Sequence, residues 1–250
     1  MSRDLARRVL STLKTVLKYA QTHGLLAQNP AQLVTISEKT REEERLLVGI
    51  NVPTPEQLAQ LLAATNGTRF FALLKTAIYT GMRAGELRGL VWSAVDLDGK
   101  VIHVRQRADE RGRIGPPKSK AGRRSIPISD DLVNTLRGWQ KECPAGPLNL
   151  VCPNTIGNVE QLNVISDRFF RPLQRRLGIA NAYGQPFNFH MLRHAAAWRW
   201  IKAGFAPKRL QQLMGHSTIS MTFDRYGGWY EDPLDDQTKL AQAEAALKLA

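Results

Sequence analysis

The sequence predicts a mainly α-helical chain carrying a short β-hairpin, and three observations support that fold class. Apolar residues recur at helical spacing through most of the longer segments. Strand character is confined to two short runs, Val101-Ile-His-Val104 and Ser125-Ile-Pro-Ile128, joined by a polar, Gly-containing connection. The 250 residues, 43% of them hydrophobic, can build a sizeable core. That is room for one large domain with an appendage or for two small ones.

The elements follow in chain order. From Asp4 to His23, Leu5, Val9, Leu10, Leu13, Val16, Leu17 and Ala20 share one face of a helix that Gly24 stops, with Arg7, Lys14 and Lys18 opposite. Such an amphipathic helix is expected to pack its stripe on another element. The charged stretch from Ser37 to Arg45 reads as a linker. Thr54-Pro-Glu-Gln57 opens the next helix with a cap, a proline in the first turn and a glutamine placed to close a capping box. The pattern breaks at Asn66-Gly67, resumes from Phe70 to Thr80 and ends at Gly81, which leaves Arg83 near the following helix start. The hairpin comes next, with Lys120 expected near its tip. Ser129-Asp-Asp131 then starts another helix with a cap and acidic first turn. The remainder reads as helical, clearest over Ala195–Ile201 and Leu210–Met214, and a tail helix is expected over Asp235–Ala250.

Charge narrows the function. Lys and Arg number 35 against 22 Asp and Glu, a net charge of +13, with a pI near 10.1. That balance points to a polyanion partner, foremost nucleic acid, whose phosphates release counterions when cations neutralise them. Cys143 and Cys152 form no CxxC pair, which argues against a disulfide framework or a structural zinc site and for a reducing compartment. No apolar run approaches the ~18 residues of a membrane span, and the basic N-terminus lacks a signal-type apolar core. The chain therefore reads as cytoplasmic.

The chemistry concentrates in five local frames. A tyrosine phenol ionises near pH 10 and attacks poorly unless its proton is handled; Tyr226 is the candidate. Guanidinium forks match the oxygens of a phosphodiester, so Arg83 and Arg193 are expected to clamp the charge that grows during attack. His190, three residues before Arg193, would share its helical face and could exchange the tyrosine's proton. His216 could donate a hydrogen bond to a phosphate oxygen. Lys120 could protonate a departing 5′-oxygen, with Lys118 the alternative. His194 is expected to pack or hydrogen-bond within its own helix. The His190/His194 spacing does not make a metalloprotease box, because Met191 stands where a catalytic glutamate is needed.

These frames resemble those of the tyrosine recombinases, the phage-integrase family. The family's TGxRxxEL frame is matched by Thr80-Gly-Met-Arg83-Ala-Gly-Glu-Leu87, its HxLR box by His190-Met-Leu-Arg193 and its LxGH box by Leu213-Met-Gly-His216. The hairpin lysine is matched by Lys120 and the nucleophile by Tyr226, within Asp224-Arg-Tyr-Gly227. Where many members have a histidine two residues after the tyrosine, this chain has Gly228, which is not a catalytic position.

The resemblance spans roughly Pro53 to Tyr230. It implies an α+β catalytic domain, mainly α with a small antiparallel sheet, over residues 49–250, preceded over 1–48 by a partial helical core-binding segment. Against the family's pattern, most of the core-binding domain, and any arm-binding domain, is expected to be missing ahead of Met1. The implied activity is site-specific strand exchange at double-stranded DNA attachment sites, through a 3′-phosphotyrosyl intermediate and with neither cofactor nor metal. The implied assembly is a homotetramer on DNA, with the tail helix docked on a neighbour or, alternatively, packed on its own domain. A type IB topoisomerase would use the same chemistry, and a non-catalytic DNA-binding protein could keep the fold; the intact Arg83, Lys120, His190, Arg193, His216, Tyr226 set favours the recombinase.

Overall fold

The computed structural model describes residues 3–36, 45–230, 237–241 and 244–245. Two compact units emerge, Met1–Arg45 and Leu46–Ala250. Most of the expected linker lies outside the described residues. Of the expected tail, 237–241 and 244–245 are helical and the rest also lies outside. Among the described residues no helix is long and apolar enough to cross a membrane.

The first unit is built on α1 (Arg3–Thr22). The chain after it folds back along the helix: Asn29 Nδ2 donates to the Lys14 carbonyl at 3.2 Å, and Lys14 Nζ donates to the Gln32 carbonyl at 3.0 Å. This return run lies on the side bearing Arg7, Lys14 and Lys18, where it closes a groove with Val34 and Ile36. Of the apolar stripe, Val9, Leu13 and Val16 are 46–58% exposed, whereas Leu10, Leu17 and Ala20 are partly buried.

The second unit is the α+β body. Its first helix, α2 (Pro55–Thr65), begins with the expected capping box: Gln57 N–H donates to Thr54 Oγ1 at 3.3 Å and Thr54 N–H to Gln57 Oε1 at 2.9 Å. Then come α3 (Phe71–Thr80) and the short α4 (Ala84–Arg88). The main sheet has the order β1 (Val95–Asp96), β2 (Val101–Val104), β5 (Arg124–Pro127), all antiparallel, with Ile102 opposite Ile126. Between β2 and β5 the chain makes a second small hairpin, β3 (Arg107–Ala108) with β4 (Ile114–Gly115). Lys120 consequently sits in a 3₁₀ turn entering β5 rather than at a hairpin tip. Neither β1 nor this inner hairpin is expected from the sequence, because two-residue strands carry too little alternation to detect.

Helix α5 (Asp130–Glu142) is capped by Ser129. A π-helical stretch, Val164–Phe170, runs into α6 (Arg171–Leu177). The last three helices are α7 (Met191–Lys202), α8 (Pro207–Met214) and α9 (Ile219–Tyr226). Leu61, Leu74, Ile78, Leu87, Ile102, Ile126, Leu132 and Leu136 are all at or below 1% exposure and join helices and sheet into one core. Each such side chain contributes about 1.5–3 kcal/mol of burial. The buried Lys75 ammonium ties α3 to α5 through Asp131 (2.7 Å) and Thr135 (2.9 Å). On its other side α3 packs on α7, where buried Ala195, Ala196 and Ala197 allow a close approach. That contact brings Arg83 and Arg193 to the same end of the body.

Candidate active site

Arg83 is placed by two helix ends. Gly81 closes α3 in the left-handed region (φ 57°), a conformation that costs an L side chain about 1–2 kcal/mol. A Cβ at Gly81 would also lie 3.1 Å from the Ala196 methyl. Two residues on, Arg83 becomes the N-cap of α4. Its N–H donates to Glu86 Oε2 and its Nη1 to Glu86 Oε1, both at 2.9 Å. The same carboxylate accepts a pair of bonds from Arg124 on β5, at 3.0 and 2.8 Å. Burial raises the Glu86 pKa, but the Arg124 hydrogen bonds and the charges of Arg124, Arg83 and Arg193 outweigh it and hold the group at about 2. Arg124 Nε also donates to the Leu213 carbonyl at 2.6 Å. Glu86 and Arg124 thus tie α4, β5 and the end of α8 together. Glu86 stands in its sequence frame without a legible task, and nothing local in the sequence marks Arg124.

Arg193 is 3% exposed. Its guanidinium donates to the Gly81 carbonyl at 2.7 Å and to the Met214 carbonyl, so it braces the C-terminal ends of α3 and α8. Burial and the neighbouring Arg83 bring its pKa down to about 9, which leaves it charged at neutral pH. An incoming anion would relieve the repulsion between the two arginines. His216 follows Gly215, which ends α8 at φ 64°. A Cβ at Gly215 would lie 2.9 Å from the Ala121 carbonyl oxygen, so that approach requires glycine. His216 Nδ1 lies 2.9 Å from Thr222 Oγ1 on α9.

Tyr226, the last residue of α9, is 2% exposed. Its ring stacks between His216 (6.0 Å, 17°) and Trp229 (5.2 Å, 18°). Burial pushes the phenol up to about 12, against the lowering effect of Arg193, Arg225 and Arg83. Its hydroxyl lies 2.9 Å from Nδ1 of His194. This corrects the expectation that His194 stays within its own helix: the ring reaches across to α9. His190, at the N-cap of α7, meets His194 edge-on, with centroids 5.0 Å apart at 88°. Burial, then neighbouring positive charge, lowers His190 and His216 to about 4. Burial, then His190, Arg225, Arg193 and His216, lowers His194 to about 3. All three rings are neutral at pH 7. The spacing of His194 four residues after His190 and one after Arg193 is the signal the sequence offers, but its partner lies on another helix.

Beside these groups a cleft of about 580 Å³ is lined by six cations, Arg83, Arg88, Arg107, Arg111, Arg113 and Lys118, and by the acidic Glu86, Asp109 and Glu110. The excess of cations suits a chain of phosphates. Lys118 lies on its wall; Lys120, two residues on, is not among its lining residues. The structure therefore gathers Arg83, Arg193, His190, His216 and Tyr226 around one end of the body, with the two lysines on the adjacent turn.

Comparison with known proteins places these features in a family context. The model of the phage integrase family matches residues 51–230. A tyrosine recombinase XerC-like protein of Caldanaerobacter subterraneus is 31% identical over 234 residues, which is 86% of this chain and 59% of that protein. The prophage integrase IntR of Escherichia coli is 24% identical over 94% of this chain and 59% of its own length. The chain thus spans about three fifths of these relatives. Among solved structures, the Tn1549 transposon integrase in complex with a circular intermediate DNA superposes with a TM-score of 0.74 at 22% identity, covering 98% of this chain and 80% of that one. A lambda integrase tetramer bound to a Holliday junction gives 0.65 at 21% identity, covering 86% and 59%.

Proposed function

The chain belongs to the phage integrase family, and from that premise we propose that it is a site-specific DNA recombinase. Tyr226 is the nucleophile, and Arg83, Arg193 and His216 bind the scissile phosphate. The observation that carries this reading is the junction of three helix ends. Arg83 starts α4, Arg193 donates to the last carbonyls of α3 and α8, and His216 stacks on the Tyr226 ring.

The chemistry follows from that arrangement. Tyr226 Oη attacks the phosphorus, a bond forms to the 3′-phosphate, and the bond to the 5′-oxygen breaks. The charge that grows on the non-bridging oxygens meets two guanidiniums already fixed by backbone carbonyls and by Glu86, so little reorganisation is needed. The phenol's proton goes to the His190–His194 pair, and a lysine of the turn before β5 protonates the leaving 5′-oxygen. Of the two candidates, the cleft position supports Lys118 over Lys120. A 5′-hydroxyl of a second strand then reverses the steps. One phosphodiester replaces another, so energy is conserved without ATP.

On this reading residues 49–250 act as the catalytic domain, residues 1–48 contribute to DNA binding, and four copies assemble on two duplexes. The lambda integrase tetramer on a Holliday junction supports that assembly. Selection from a library of randomised nicked duplexes for SDS-stable attachment tests the reading. Wild-type protein is expected to yield a covalently attached pool, and Tyr226→Phe none while still binding DNA. Attachment by the Phe variant would refute the nucleophile, and no attachment by wild type would refute the activity.

A further inference from the structure

We propose that His194 is the group that takes the proton from Tyr226, with His190 held beside it as a positioning residue. The inference rests on the recombinase reading above and names the path of one proton within it. The observation is positional: of the three histidines around the nucleophile, His194 is the one whose ring nitrogen lies at hydrogen-bond distance, 2.9 Å, from the hydroxyl oxygen. His216 offers its Nδ1 to Thr222 instead. His190 meets the edge of the His194 ring.

Proton transfer requires one direction of this bond. A phenol raised to about 12 is protonated at neutral pH, and a histidine lowered to about 3 is neutral, so Tyr226 holds a proton to give and His194 has a ring nitrogen to receive it. On the proposal Tyr226 donates and Nδ1 accepts, with the His194 proton on Nε2. The groups facing His194 are His190 and Arg193 on its own helix, Tyr226 and Arg225 on α9, and His216 after α8. Two of these are permanent cations, and they disfavour a charged ring until an anion arrives. A phosphate between Arg83, Arg193 and His216 supplies that negative charge. As the phosphorus–oxygen bond forms, the Tyr226 oxygen also loses its affinity for the proton. Transfer thus accompanies attack: the Oη–H bond breaks, an Nδ1–H bond forms, and the imidazolium sits next to the bound phosphate. On religation the same proton returns to Tyr226 as it leaves. Storing the proton within one hydrogen bond keeps both directions of the exchange symmetrical.

Two measurements decide the matter. Nitrogen-15 NMR of histidine-labelled protein without DNA should show His194 as the Nε2–H form, with an Nδ1 signal that shifts when Tyr226 becomes Phe. A proton on Nδ1 of the wild-type protein would overturn the proposal even if no variant folds, and so would no response to Tyr226→Phe in a folded variant. The second measurement uses the duplex pool selected by wild-type attachment. There His194→Ala should cleave about 10²–10⁴-fold more slowly, the range for loss of a general base. Added imidazole should restore His194→Ala but not Tyr226→Phe. His194→Gln, which can accept a hydrogen bond yet cannot carry the proton, should stay as slow as the alanine variant. Near wild-type cleavage by His194→Gln would reduce His194 to a hydrogen-bonding prop, and imidazole rescue of His190→Ala alone would move the base to His190. A wild-type protein that attaches to no duplex would remove the recombinase reading, and the proton transfer with it, whatever the tautomer.

Discussion

At the residue scale, Glu86 is the organising charge of the site, because one buried carboxylate holds two arginines from different elements. Its pKa in the folded chain, about 2, lies below the ordinary 4.5. The stabilisation is therefore complete above about pH 4.5 and is lost as pH falls toward 2. Linkage puts it on the order of 3 kcal/mol at neutral pH. Denaturant titrations of wild type and Glu86→Gln are expected to differ most at pH 7, to draw together below about pH 4.5 and to converge only near pH 2; a gap independent of pH would refute the assignment.

Arg193 gives a second expectation at this scale. Removing a preorganised donor to a developing oxyanion costs about 2.7–4 kcal/mol. Arg193→Lys should therefore lose roughly 10²–10³-fold in cleavage while retaining most of its DNA affinity, and matched losses in both would mark a ground-state contact instead. The lysines separate by chemistry. Sulfur in place of the 5′-oxygen needs no proton to leave, so it should rescue whichever of Lys118→Ala and Lys120→Ala lacks the acid. The cleft position makes Lys118 the expected one.

At the element scale the site depends on where helices stop. Gly81 and Gly215 end α3 and α8 in the left-handed region, and the carbonyls just before and at those ends receive Arg193. Gly215→Ala forces a methyl to within 2.9 Å of the Ala121 carbonyl oxygen in addition to the strained φ. The expected cost is at least 1–2 kcal/mol in thermal or denaturant unfolding. Cleavage should fall further than stability alone explains, since His216 and the turn carrying Lys120 shift together. A variant with unchanged stability and cleavage would show that the loop relaxes freely. Helix α9 has a comparable fastening: Trp229 stacks on Tyr226 and its indole N–H donates to the Leu46 carbonyl at 2.9 Å. Trp229→Ala should expose Tyr226 to chemical nitration, and protection equal to wild type would assign its burial to His216 and α7.

For the whole molecule, the net charge of +13 is the source of a sequence-independent affinity for the proposed DNA partner. Binding of the full chain to a non-cognate duplex is expected to weaken steeply with salt, with log K linear in log salt at a slope of about −0.9 per phosphate neutralised. A slope near zero would remove phosphate contact as the basis of affinity. The exposed Val9, Leu13 and Val16 of α1 bear on solution behaviour at this same scale, because exposed apolar side chains favour association.

Local codes were legible in the sequence. Thr54 with Gln57, Ser129 and Gly81 mark helix ends because capping and left-handed geometry involve neighbours in the chain. Arg83, His190, Arg193, His216 and Tyr226 were legible for the same reason, each set in a short frame that fixes its place on a helix or at its end. The sequence thereby determined the helices, the main strand pair and the residues that carry the proposed chemistry. Tertiary structure alone decided the rest: that Glu86 joins Arg83 to Arg124, that Arg193 braces two helix ends, that His194 rather than His190 meets the Tyr226 hydroxyl, and that Lys118 rather than Lys120 lines the cleft. Each of these pairs an atom with a partner on another element or across a folded turn. Periodicity tells which face of a helix a side chain occupies, whereas its partner is fixed when the core packs and buried polar groups must find one another.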